Sequence, residues 1–307
     1  MIFLSDASAD FNEPIKITEN LWVLPNLPIE VEGHWENWLG FIKVNAIRNS
    51  RLFIFSFADS RNPTILDEEN NVLINQTHEY MNIMLLAGVI AFGHAECLSG
   101  AKINDVTQIR DHVQFQRYFF DKEMGPRLFV ANDFEMVGKM LTNYKHSLLE
   151  KDKFRRINRG VEAFVKAMYE SSSYYRIHQL VRALEAVIHP VGDTKRATFK
   201  NRCKYFVKQE DEGSKIFVEM YDLRGRVEHL DEFRSMVKGS EEKFITKFEL
   251  RTRQLEHVTK FVYQKILLDK ELMNHFANDE SIADFWRRME NGGENLWIEK
   301  FDLSSVS

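Results

Sequence analysis

A guanidinium and an imidazole lie five positions apart in the run Met220-Tyr221-Asp222-Leu223-Arg224-Gly225-Arg226-Val227-Glu228-His229-Leu230. Arg224 and His229 together suit metal-free cleavage of RNA. In that reaction a 2′-OH attacks the neighbouring phosphorus and negative charge builds on the non-bridging oxygens, to which a guanidinium presents a fixed fork of donors. Imidazole titrates near neutrality, so it takes or gives the proton. The need for a 2′-OH confines such chemistry to RNA. Five residues of ideal helix turn through about 500°, leaving Arg224 and His229 about 140° apart around the axis. From an unbroken helix they converge on one phosphate only if their side chains wrap around it; otherwise the helix loosens near Gly225 or two subunits meet.

A second candidate is a basic stripe. Arg196, Lys200, Lys204 and Lys208 recur at i+4, with Lys195 and Arg202 nearby, and Phe199, Cys203 and Phe206 fall on another face. On one helix the stripe is about 18 Å long, a length suited to a phosphate backbone, and binding through it would be salt-dependent. The competing reading is a solvated face partly neutralised by Glu210, Asp211 and Glu212. A third candidate fails. His94-Ala95-Glu96-Cys97 contains the H-x-E of zinc deaminases, but the P-C-x-x-C half is missing and the only other thiol is Cys203. Phosphate-cradling glycine loops, nucleophile elbows and H-E-x-x-H are absent as well. No metal and no cofactor are expected.

The run 220–230 resembles the signature of the HEPN superfamily, most closely its ApeA-like branch, in which Tyr-x-x-Arg is followed by four to six residues and His. Upstream, Arg182-Ala183-Leu184-Glu185-Ala186-Val187 is similar to the Ala-Leu-Glu stretch of an earlier helix in that branch. Arg-x4-6-His also matches at Arg182/His189 and Arg251/His257. Only at Arg224 do Tyr221 and the penultimate-helix position fit as well. The resemblance spans roughly residues 173–275 and implies a metal-independent endoribonuclease, or an RNA-binding protein derived from one. It implies Arg224 and His229 as catalytic residues, paired across a homodimer interface, with Arg196, Lys200, Lys204 and Lys208 available to RNA. It also implies a place in toxin or antiphage defence, with an antitoxin or a sensor ligand at the N-terminal domain. Active members usually carry a polar residue after the motif arginine. Here that residue is Gly225, a type suited to close backbone approach, which keeps open a second reading: a non-catalytic helical dimerisation module carrying a β-rich recognition domain.

The elements that must hold these residues follow from patterning. With 44% hydrophobic and 28% charged residues the composition is that of a folded globular protein, and a net charge of −5 excludes a generic polyanion binder. Two cysteines exclude a disulfide framework and fit a reducing compartment. The N-terminus does not read as a signal peptide. The apolar stretch Met81–Phe92, broken by Asn82 and Gly88, is too short to span a bilayer, so a cytoplasmic address without membrane contact is expected. Pro14, Pro25, Pro28, Pro63 and Pro126 crowd the first part of the chain and only Pro190 follows, which permits long helices later. The expected fold class is α+β. Residues 1–130 form a β-rich domain of unknown role, with strands at 15–18, 21–24, 38–44 and 52–57 and a helix near 77–92. Residues 131–291 form an up-and-down helical bundle, and 292–307 a tail. Helices are expected at about 133–149, 153–170, 173–188, 194–209, 214–229 and 241–274, the first announced by Asn132 with Glu135 three positions on.

Overall fold

The computed structural model describes all residues except 5–6, 61–62, 65–67, 91–94, 115–126, 191–193, 230–240, 293–295 and 307. The chain is α+β: an N-terminal antiparallel sheet region precedes a helical region. Two compact units separate. One comprises Met1–Leu85 with Val89–Leu141, the other Leu86–Gly88 with Thr142–Ser307.

In the first unit, β1 (Ile2–Leu4), β3 (Ile15–Lys16), β4 (Leu21–Leu24), β5 (Phe53–Ser56), β6 (Ala95–Ile103) and β7 (Val106–Gln114) form one antiparallel sheet in the order β3-β4-β5-β1-β6-β7. A separate parallel pair joins β2 (Ala7–Ala9) to β8 (Arg127–Phe129). Every residue of β1 is buried, as a central strand covered on both faces requires. One face packs Phe3, Phe53 and Leu98 against Trp35, Val44 and Ile47. Asn104 and Asp105 both adopt positive φ, the backbone of the two-residue turn whose twist matches a β6–β7 hairpin. The helix α3 (Glu68–Leu86) is tied down by Gln76 Nε2 donating to Thr18 Oγ1 (2.7 Å) and Asn70 Nδ2 donating to the Gly100 carbonyl (3.2 Å).

The strand expected at 38–44 is absent. Its residues form α1 (Trp35–Leu39) and α2 (Phe41–Asn49), hinged at Gly40 with φ +78. The branched and aromatic residues alternate well enough for a strand. However, the buried set Trp35, Val44 and Ile47 follows a helical face, and Trp38, Phe41 and Ile42 stay exposed.

The helical region opens with α4 (Ala131–Leu149), inside which the division between units falls, and continues with α5 (Arg155–Tyr169), α6 (Ser173–Ile188) and α7 (Lys195–Cys203). It ends with α8 (Glu210–His229), α9 (Glu241–Leu268), α10 (Lys270–Asn274) and α11 (Asp279–Glu290). Ile157, Val161, Phe164 and Met168 give α5 a single buried face at helical spacing, and α5 packs on α6. In turn, α6 packs on α8 and α9, and α7 on α8. The expected helix 194–209 is shorter than the pattern suggested. After Cys203 the chain tightens into a 3₁₀ turn, Lys204–Phe206, and then extends. Burial of Phe206 and Val207 and backbone pairing with the C-terminal segment account for the change. The Phe301 N–H donates to the Phe206 carbonyl (2.7 Å), and the Lys208 N–H donates to that of Phe301 (2.9 Å). Trp297 and Leu303 of that final segment are buried.

Candidate functional site

Tyr221 and Arg224 are three apart on α8 and so share a face. The Arg224 guanidinium lies over the Tyr221 ring at 5.5 Å, and Tyr221 in turn meets Phe199 of α7 at 5.1 Å between centroids. Glu185 of α6 stands 3.4 Å from Arg224 Nη2, and both side chains are mostly buried, at 19% and 17% exposure. Met220 and Leu223, buried on the same helix, anchor α8 so that Arg224 is delivered to this position. The carboxylate both balances and orients the guanidinium. Nothing in the sequence marked Glu185 as the partner of Arg224, because the two belong to different helices.

His229 closes α8, and its side chain lies outside the described residues. The helix runs through Gly225 without interruption. A Cβ at Gly225 would meet nothing within 4 Å among the described residues. With α8 continuous, Arg224 and His229 stand about 140° apart around its axis.

The basic stripe is broken. Arg196 makes a two-pronged pair with Asp222, both bonds 2.6 Å. Lys208 comes after the helix has ended and lies 3.7 Å from Asp302. Lys200 remains on α7, half-buried, and Lys204 opens the 3₁₀ turn with its ammonium 5.6 Å from the Tyr205 ring. Arg202 serves the fold. It donates to the Ile188 and His189 carbonyls (2.8 and 3.2 Å) at the end of α6, and to Glu290 (2.7 Å). The rival Arg-x-His matches also have structural partners. His189 is the left-handed cap of α6, Arg251 pairs with Glu219 at 2.9 Å, and His257 stacks on Phe301.

His94 lies outside the described residues, while Glu96 is buried on β6 and contacts both Lys43 of α2 and His112 of β7 (2.5 Å). This ionic cluster was not legible in the sequence, since strand register, not spacing, sets it. Cys97 and Cys203 are buried free thiols, and burial raises both above the ordinary thiol range. Among the described residues no group of three or more His, Cys, Asp or Glu is arranged to hold a metal ion, and no helix is long and apolar enough to cross a membrane. Comparison of the chain with family models, with curated proteins and with solved structures finds no match.

Proposed function

We propose that the helical region acts on RNA as a HEPN-like, metal-independent endoribonuclease, or as an RNA-binding protein derived from one, in the cytoplasm and within a toxin or antiphage defence system. One observation carries this reading. The two separate stretches that resemble the superfamily, around Glu185 and around Arg224, meet side chain to side chain through the packing of α6 on α8. In this reading Arg224 offers N–H groups to the non-bridging oxygens as charge develops, Glu185 keeps the guanidinium in position, and His229 moves the proton. That one continuous helix carries Arg224 and His229 on well-separated faces supports a reacting pair drawn from two copies of the chain, as the resemblance implies. The test is cleavage of single-stranded RNA in chelator by wild type, Arg224→Ala and His229→Ala, with circular dichroism as the check on folding. Either substitution is expected to lower the rate by about a hundredfold or more. Equal rates in all three proteins would assign the cleavage elsewhere and end the proposal.

The Arg224–Glu185 pair, and a glycine at 225 where active members carry a polar residue, favour a second reading, in which the guanidinium is spent on an internal ion pair and the helices form a non-catalytic dimerisation module. That reading expects a dimer in solution, no RNA cleavage and partner binding insensitive to salt.

A further inference from the structure

We infer that the N-terminal unit holds a binding site for a small aromatic cation, of the size and chemistry of an arylalkyl amine. It is independent of the ribonuclease reading, and neither stands or falls with the other. β1 separates β5 from β6 through Ile2–Leu4, and Met1 extends the pairing, its amino group donating to the Leu98 carbonyl and its carbonyl accepting from the Leu98 N–H, both at 2.8 Å. Past that ladder, the end of β5 and the distal half of β6 flank a cavity of about 670 Å³, bordered by α3. The volume falls inside the span of about 300–1,000 Å³ usual for small-molecule sites.

The walls are apolar and aromatic: Trp35, Phe55, Leu73 and Leu98 line the cavity. Trp35 is buried and its Nε1 donates to the Thr107 carbonyl at 3.0 Å, so its ring is held in one orientation. At Ser99/Gly100 the β6–β7 register slips by one residue. Bulges of this kind re-aim side chains and are over-represented beside active sites. This bulge is built to last. A Cβ at Gly100 would overlap the Gln108 carbonyl oxygen, and Asn70 grips the Gly100 carbonyl from α3. Ser99, which lines the cavity, has a fully buried Oγ with no hydrogen-bond partner among the described residues. Buried polar atoms are almost always paired, and a group inside the cavity would complete this one.

Charge selects the ligand. The exposed carboxylates of Asp59, Glu69 and Asp105 stand at the lining against two described cationic groups: Lys102, itself 3.4 Å from Asp105, and the Met1 amino group, which donates to the Leu98 carbonyl at 2.8 Å and which burial holds below its ordinary range, weakening its charge. A pocket of that sign attracts a cation and repels phosphates and carboxylates, and an aromatic wall adds cation–π attraction.

Titration calorimetry of the full-length protein with tryptamine, indole and indole-3-acetate separates ring from charge. Tryptamine is expected to bind one to one and about tenfold more tightly than indole-3-acetate, with indole between them. Asp59→Asn/Glu69→Gln, a change of exposed side chains, is expected to bring the two affinities within about threefold while the melting temperature stays put. Ser99→Leu, which fills the cavity, is expected to abolish binding of all three compounds. Should that variant fail to fold by circular dichroism, the Asp59/Glu69 pair decides alone. No binding of any of the three at about 1 mM, equal affinity for tryptamine and indole-3-acetate, or a preference that survives the Asp59/Glu69 change would each overturn the proposal.

Discussion

Arg224 and Glu185 form a mostly buried ion pair at 3.4 Å. Removing the carboxylate charge takes away one of the contacts that orient the guanidinium. Glu185→Gln is therefore expected to lower RNA cleavage by about 10–100-fold through misplacement, with RNA affinity little changed. Single-turnover rates set beside anisotropy titrations read the split. Arg224→Lys is not expected to restore activity, because an ammonium lacks the planar fork. One residue on, a Cβ at Gly225 of α8 would meet nothing within 4 Å among the described residues. Gly225→Ala is expected to raise stability by about 0.5–1 kcal/mol in urea unfolding, the helix preference of alanine over glycine. A loss of stability would mean that the site is crowded after all. The Tyr221–Arg224 relation was readable from spacing, since residues three apart share a helix face. Glu185 was quoted in the resemblance, but its contact with Arg224 was not, because nothing local encodes which helix packs on which.

At the scale of elements, the close approach of α5, α6 and α9 turns on Gly160. A Cβ there would overlap the Tyr263 hydroxyl, which donates to the Ala183 carbonyl at 2.8 Å. Gly160→Ala is expected to cost about 2 kcal/mol by overpacking, and Tyr263→Phe about 1 kcal/mol for the lost hydrogen bond. Because removing the hydroxyl relieves part of the overlap, the double variant should lose less than the two single losses combined, and a double-mutant cycle measures the difference. The α6–α9 contact also carries Arg176, buried and 2.7 Å from Glu256, which Lys260 contacts as well. Burial opposes ionisation of Glu256, yet Lys260 and Arg176 outweigh it and hold the carboxyl down at about 2. The stabilisation is thus complete above the unfolded value of about 4.3 and is lost as pH falls towards 2. Glu256→Gln is expected to lose about 3 kcal/mol at pH 7, because it strands a buried arginine, and the gap to wild type should narrow below about pH 4. A gap that stays constant with pH would show the pair to contribute nothing through its charge. Element boundaries from α4 to α8 were largely legible, since long apolar faces at helical spacing have few rivals, but the single helix expected over 241–274 divides at Asp269, whose side chain caps α10 by accepting from the Glu271 and Leu272 N–H groups. The failures at 38–44 and after Cys203 share one cause. In both, short segments took the conformation that buried their apolar side chains against neighbours distant in sequence.

For the molecule as a whole, the net charge of −5 leaves RNA attraction to local groups. Two of the four stripe cations are engaged by carboxylates, Arg196 by Asp222 and Lys208 by Asp302. Four free contacts to single-stranded RNA would give a slope of log affinity against log salt of about −2.8, and two would give about −1.4. The shallower value is expected from anisotropy titrations between low and physiological salt, with Asp222→Asn steepening it. A slope near zero would remove the stripe from the interface altogether.

Periodicity and composition alone determined that this chain pairs a sheet-bearing N-terminal part with a long helical part, because apolar spacing of two or of three to four is a local property that any short window displays. The same local reading supplied Arg224, His229 and the cationic positions as types worth testing. Only tertiary structure decided that Arg224 faces Glu185, that the stripe breaks after Cys203, and that β5, β6 and α3 enclose a cavity with an acidic mouth. Those outcomes depend on which buried faces meet, a choice made by the summed packing of residues far apart in the chain, which no window along the sequence contains.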